Sequence, residues 1–189
     1  MEDITSLLQR ARDGADRAAI DQIVGALYPE LHRMAHSRLS QNGTITLLDT
    51  TVMVHETYER LCHASRLDAQ CRGQFMAYAA QVMRSVIVDF ARKRRAARRG
   101  SGQAHVTLST DVLDQRGQAG NSDDDIERVH DALLELENVD PRLKQVVEMR
   151  YFGGFSEEEI AQTLGINERT VRRDWDRARL LLMVSIKRS

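Results

Sequence analysis

The stretch TTVMVHETYERL, residues 50–61, carries the side chains closest to a catalytic spacing. His55-Glu56 opens an H-E-x-x pattern, and His55, Glu59 and His63 recur four apart, so a helix would align them in one strip. A zinc-peptidase helix needs H-E-x-x-H, with two imidazoles on one face to hold the metal and the glutamate as base. Here the fifth position is Glu59, and His63 adjoins a polar loop. The pattern therefore falls short of that chemistry, and no catalytic residue, metal site or cofactor is expected. Cys62 and Cys71 make no disulfide framework. They read as reduced thiols of a cytoplasmic protein rather than as a redox switch.

The elements that must position these residues are helical. Leu, Ala, Arg, Glu and Gln dominate, aromatics are 5% of the chain, and there are only 2 prolines. Alternating Val/Ile/Thr runs are rare, which argues against strands. No apolar run approaches membrane-spanning length, and the N-terminus does not read as a signal peptide, so no membrane partner is expected. Residues 5–39 read as two helices, 50–64 as a third with Val54, Tyr58 and Leu61 on its packed side, 67–74 as a polar loop and 75–95 as a long helix. In the long helix Phe75, Tyr78, Ala79, Val82, Val86 and Phe90 form the apolar stripe, and the basic run ARKRRAARR (91–99) ends it. Periodicity then disappears and resumes as helices over 126–138, 140–151, 156–164 and 167–186. The expected fold is all-α: two small helical domains, 1–99 and 126–189, joined by an extended acidic linker, 100–125.

Charge is segregated along this plan, although the net value is only −1. Residues 1–99 hold 15 Lys/Arg against 11 Asp/Glu, residues 100–126 hold 1 against 5, and residues 127–189 hold 11 against 12. A near-neutral chain of this kind can still bind nucleic acid if its basic side chains share a face.

The strongest local signal is FSEEEIAQTLGINERTVRRDWDRARLLL, residues 155–182. Ser156 and Glu159 spell a capping box, Ile160, Ala161 and Leu164 make a short apolar face, and Gly165 supplies a turn. Asn167 can cap a second helix with the stripe Val171, Trp175, Ala178 and Leu182. Helix, glycine turn and helix is the helix-turn-helix order, whose second helix presents its N-terminal side chains to base edges in the major groove. Those side chains are Glu168, Arg169, Thr170, Arg172 and Arg173. Arginine pairs with guanine and glutamate accepts from cytosine, whereas Arg177 and Arg179, further along, suit phosphates. A solvated helical hairpin is the plainer alternative, and Trp175 reads as core rather than as a base-stacking platform.

Taken together, these segments resemble the extracytoplasmic-function (ECF) sigma factors of bacterial RNA polymerase. ETYERL resembles that family's polymerase-binding ETFLRL. FMAYAAQVMRSVIVDFARKRR resembles its promoter-melting segment FRAWLYRIARNLAIDYLRRRR, and VDPRLKQVVEMRYFGGFSEEEIAQTLGINERTVRRDWDRARLLL resembles its minus-35 domain. The resemblance implies an alternative sigma factor that binds core RNA polymerase (clamp helices and flap) and promoter DNA. It implies polymerase contact by Thr51, Val52, His55, Glu56 and Glu59. It places Arg72, Arg84, Asp89, Arg92, Lys93 and Arg94 at the minus-10 element, and Glu168, Arg169, Thr170, Arg172, Arg173 and Arg177 at the minus-35 element. The physical requirements agree, because melting needs unstacked bases trapped in pockets and a cationic path for the strand. A one-component helix-turn-helix regulator is the alternative reading. It would need an effector or dimerisation domain where the aromatic-basic helix lies.

One departure from the family pattern is informative. The polymerase-binding helix of relatives often begins AEDLVQETF. Alignment on Glu56 sets Thr50, Thr51 and Val52 against AED, so two carboxylates are absent. TVMVHETY instead resembles a subset with TALVHEAY, for which the resemblance suggests association with Ser/Thr protein kinases. A phosphate adds about −1.5 to −2 charge near neutral pH, close to the missing pair. Thr51, and after it Thr50, is thus a phosphorylation candidate; the plainer alternative makes one of them a helix N-cap. An anti-sigma protein is the other regulatory partner considered.

Overall fold

A computed structural model describes residues 3–14, 16–41, 48–64, 67–100 and 123–188. The described residues are helical, as expected, and contain no strand. The helices are α1 (Ile4–Gly14), α2 (Arg17–Ala26), α3 (Tyr28–Gln41), α4 (Thr50–His63) and α5 (Arg72–Gly100), followed by α6 (Asp123–Val139), α7 (Pro141–Val147), a π-helical segment (Glu148–Gly153), α8 (Glu157–Leu164) and α9 (Glu168–Arg188). Most of the expected linker, 101–122, lies outside the described residues.

Where two helices were expected over 5–39 there are three. The Asp16 side chain accepts from the Ala19 amide and starts α2, and Arg10 donates to the same carboxylate at 2.6 Å. Pro29 falls in the first turn of α3, where its missing N–H costs nothing. In α2 Ala18 is exposed, and its neighbour Ala19 is buried. The first residue of α4 is Thr50, so its N-cap is Asp49 and neither Thr50 nor Thr51 holds that position.

Helix α5 organises the molecule. It packs on α3 and α4 on one side, and on α6, the π-helical segment and α8 on the other. Its expected stripe is present in Phe75, Ala79 and Val86, all buried, with Tyr78, Val82 and Phe90 half-buried. Met83, Ile87, Val88 and Ala91 are buried as well, a second stripe that single-face periodicity does not contain. One apolar core therefore runs from Leu7 and Leu8 through Phe75 and Met83 to Leu133, Leu143 and Phe152. A smaller cluster of Val146, Met149, Ile160, Ala161 and Val171 holds α7, α8 and α9 together.

Candidate functional site

Helix α4 divides as its pattern requires. Met53, Val54, Thr57 and Leu61 are buried, and the Thr57 hydroxyl donates to the Met53 carbonyl at 2.7 Å, which satisfies it inside the core. Tyr58 is half-buried, and its hydroxyl reaches Asp21 on α2 at 2.7 Å. Thr51, Val52, His55 and Glu56 are exposed, and Glu59 is partly so. The first turn of α4 contains no acid, and the Asp49 side chain makes no capping bond there. The first amides of a helix have no intrahelical partner, and here the N-cap carboxylate of Asp49 does not bond them, beside two threonines. His55 lies against the Tyr58 ring with centroids 6.2 Å apart, and the His63 Nδ1 is held at the Glu59 carbonyl. Among the described residues no group of three His, Cys, Asp or Glu side chains is arranged to hold a metal.

The residues expected at the minus-10 element take up different situations. Arg72, Arg92 and Lys93 are exposed, and Arg72 pairs with Glu30 of α3 at 3.2 Å. Arg94 is half-buried. Asp89 is bound by Arg60 of α4 at 2.9 Å, and Arg60 also donates to Ser85, which fixes α4 to the α5 register. Arg84 alone of this set is buried, at 7% exposure. It points at α6 and the π-helical segment rather than at solvent.

The C-terminal turn is built as its sequence reads. The Ser156 hydroxyl accepts from the Glu159 amide at 3.2 Å, and the Glu159 carboxylate accepts from the Ser156 amide at 2.8 Å. Gly165 has φ 66°, and Asn167 caps α9 by accepting from the Thr170 amide at 2.8 Å. A residue with a Cβ at φ 66° is strained even though the space around Gly165 is open. Gly165→Ala is therefore expected to lower stability by about 1–2 kcal/mol, and Gly165→Asn by less, because asparagine tolerates the left-handed region. Urea denaturation of the two variants checks the order; equal losses would show that the backbone angle is not the cause.

Glu168, Arg169, Arg172, Arg173 and Arg177 are all exposed on α9, and Thr170 is half-buried at its start. Below them Val171 and Ala178 are fully buried, whereas Trp175 is half-buried with Arg150 over its ring at 4.8 Å. Arg150 and Arg172 share the Glu157 carboxylate, and these two guanidinium partners hold its pKa below the ordinary value. Arg172 thus stands at the exposed end of a chain that begins at the core tryptophan. Asp174 is buried and receives Arg142 at 2.7 Å, a charged tie between α7 and α9.

Four residues in the middle of the molecule were not singled out from the sequence: Arg38, His130, Glu148 and Phe152. Arg38 on α3 is buried and donates from Nε to the Phe152 carbonyl. Its guanidinium lies 5.0 Å from the Tyr151 ring centre and 5.3 Å from that of Phe152, and burial lowers its pKa to about 10. Glu148 is 1% exposed and receives Arg84 Nη2 at 2.8 Å. The available signal was Glu148 itself, a carboxylate inside the apolar run VVEM, a placement that demands a partner.

The sequence that builds this arrangement is matched over residues 1–187 by the family model described as "Sigma70_ECF: ECF sigma factor". The chain belongs to the ECF sigma factor family. Membership makes it an alternative sigma factor directing transcription, with core RNA polymerase and promoter DNA as partners; the family is not one of enzymes. Comparison with curated proteins gives no significant match. No helix among the described residues is long and apolar enough to cross a membrane.

Proposed function

We propose that this sigma factor docks on the polymerase clamp helices through the outward strip Thr51, Val52, His55, Glu56 and Glu59, and that phosphorylation of Thr51 by a Ser/Thr protein kinase controls the docking. The observation that carries the reading is the first turn of α4. It lacks any acid, its Thr51 is exposed, and Thr50 beside it is half-exposed. A phosphate on Thr51 would sit against free helix amides and the positive end of the dipole. It would also restore charge of the sign that relatives fix at Thr51 and Val52. Thr50 is the second candidate.

In the same reading residues 1–99 form the domain for polymerase binding, minus-10 recognition and melting, and residues 126–189 the minus-35 domain. The acidic linker 100–125 would follow the polymerase interior. Arg72, Arg84, Asp89, Arg92, Lys93 and Arg94 serve the melted strand, and Glu168, Arg169, Thr170, Arg172, Arg173 and Arg177 the duplex. The exposed row on α9, with its capped N-terminus, supports the second assignment. Control by an anti-sigma protein would leave Thr51 unmodified and unneeded.

The test is reconstituted transcription with core polymerase alone, plus direct binding of unmodified, kinase-treated, Thr51→Ala and Thr51→Glu protein. Kinase treatment is expected to tighten binding by roughly five- to twentyfold, with Thr51→Glu part of the way. Thr51→Ala should bind weakly and be indifferent to the kinase. Tight binding by unmodified protein, unchanged in Thr51→Ala, removes the switch. Transcription that needs a second sigma factor removes the sigma assignment itself.

A further inference from the structure

Arg84 presents a conflict that points to regulation. The reading above gives it to the promoter strand, and the inference here rests on that assignment. Yet its guanidinium is enclosed between the two halves of the chain. Nη2 donates to the Glu148 carboxylate at 2.8 Å, and Nη1 bonds the His130 Nδ1. Burial, and then the positive charges of Arg84 and Arg92, lower the His130 pKa, so the imidazole is neutral at neutral pH and can accept. Glu148 and His130 both belong to the C-terminal helices.

A carboxylate and an acceptor nitrogen here occupy the donors that a phosphodiester would otherwise take. We propose that Glu148 is an internal stand-in for a promoter phosphate. In free protein it holds Arg84 against α6 and the π-helical segment, and the two halves must separate before Arg84 reaches the minus-10 strand.

The contact is shaped for that exchange. The π-helical geometry of Glu148–Gly153 presents the Phe152 carbonyl to Arg38 of α3. The Phe152 ring lies between the guanidinium groups of Arg38 and Arg84, at 5.3 and 5.9 Å. Arg95 of α5 reaches Glu127 of α6 at 2.7 Å, a second ion pair across the same boundary. A Cβ on Gly73 of α5 would meet Thr163 of α8, so the halves also touch closely at their far end.

The closing pair is nevertheless incompletely satisfied, because Arg84 Nε and Glu148 Oε2 are buried without a partner. A buried ion pair with orphan atoms is specific in geometry but adds little net stability. Separation returns both charges to water and lets the guanidinium choose a phosphate, for which its planar fork is equally suited. The ion pair therefore adds selectivity more than strength to the apolar core that continues across the boundary, and opening needs a polymerase surface that binds the separated form and covers what it exposes.

The experiment compares full-length wild type with Glu148→Gln, Arg38→Ala, Arg84→Ala, the double variant Arg84→Ala/Glu148→Gln, and the charge swap Arg84→Glu/Glu148→Arg. Small-angle scattering reads separation of the halves. Fluorescence anisotropy reads affinity for a dye-labelled mixed-sequence single-stranded DNA. Circular dichroism verifies that each variant retains its helix content.

Glu148→Gln leaves Arg84 buried without a counter-charge and should raise the ratio of open to closed protein on the order of a hundredfold. Strand affinity should rise in proportion to the open fraction. Arg38→Ala should open the protein by a different contact and raise affinity too, which keeps the test alive if Glu148→Gln fails to fold. The charge swap restores the pair but sets its guanidinium beside Lys144, 4.0 Å from the present carboxylate, so it should be less open than Glu148→Gln and bind the strand no better than wild type. Glu148→Gln and Arg38→Ala both remaining compact would overturn the lock. Opening without any gain in strand affinity would overturn the exchange. If both open and bind, but the double variant binds as tightly as Glu148→Gln, then Arg84 is not a strand contact, and the minus-10 assignment falls rather than the closure.

Discussion

Phe75→Ala is expected to lower the unfolding free energy by about 3–5 kcal/mol, the largest single loss available to a core truncation in the N-terminal half. Phe75 is the largest fully buried side chain among the described residues and closes the first turn of α5. Its ring belongs to the main core, and the first residues of α5 are poorly placed to close over a void of that size because their backbone is already held. Gln74 accepts from the Gln70 amide at 2.7 Å, and the Phe75 amide bonds back to Cys71 at 3.1 Å. Total stability of a chain this size is on the order of 5–15 kcal/mol, so the loss is a large fraction of it. Urea denaturation followed by far-ultraviolet circular dichroism and by Trp175 fluorescence measures it. Because one core runs through both halves, the two signals should shift together. A shift confined to circular dichroism would show that the halves unfold separately, and a loss under about 1 kcal/mol would mean that the site collapses around the alanine.

Ile160→Ala is expected to cost about 2–5 kcal/mol by the same mechanism, but its functional consequence is different. Ile160 is fully buried in the cluster of Val146, Met149, Ala161 and Val171, whose buried members all belong to the C-terminal helices, with Ala77 of α5 packed against its edge. That cluster sets the position of α9 beneath its exposed row of Glu168, Arg169, Arg172 and Arg173. Loosening it should spare α4, and with it the polymerase docking proposed for that helix, while the duplex binding proposed for α9 is lost. Hydrogen exchange gives the sharpest readout: amides of α8 should lose protection, and those of α4 should keep theirs. Equal loss of protection in α4 would show that the small cluster is not independent of the main core. Retention of duplex binding at wild-type strength would detach α9 from the proposed role.

Local signals were legible wherever the chemistry that makes an element lies within a few residues. The capping box at Ser156 and Glu159, the left-handed turn at Gly165 and the cap at Asn167 all read directly from residue type and spacing. The buried side of α4 was legible through Val54 and Leu61 for the same reason. Asp16 was missed as a helix start because its cap serves a helix of only 10 residues, and the apolar pattern runs on across the break. The alternative in which a threonine caps α4 fell because Asp49 precedes both. The zinc-like spacing of His55, Glu59 and His63 came from helical periodicity, which places residues on one strip without asking whether anything lies above them.

The sequence by itself determined the all-helical class, the turn geometry near the C-terminus, the missing acids at Thr51 and Val52, and enough motif order for the family. These depend on neighbours close along the chain, where backbone geometry fixes which side chains meet. Only the tertiary structure decided that α5 is buried on two sides, that Arg84 faces Glu148, and that Arg38 takes the Phe152 carbonyl. The partners in those contacts are 64 and 114 residues apart, with the expected linker between them. Residue type says that a buried carboxylate must find a cation, but over such separations many cations are equally available. Packing chose Arg84, a residue that sequence reasoning had already assigned to DNA. That coincidence is the ground of the proposed exchange between Glu148 and a promoter phosphate.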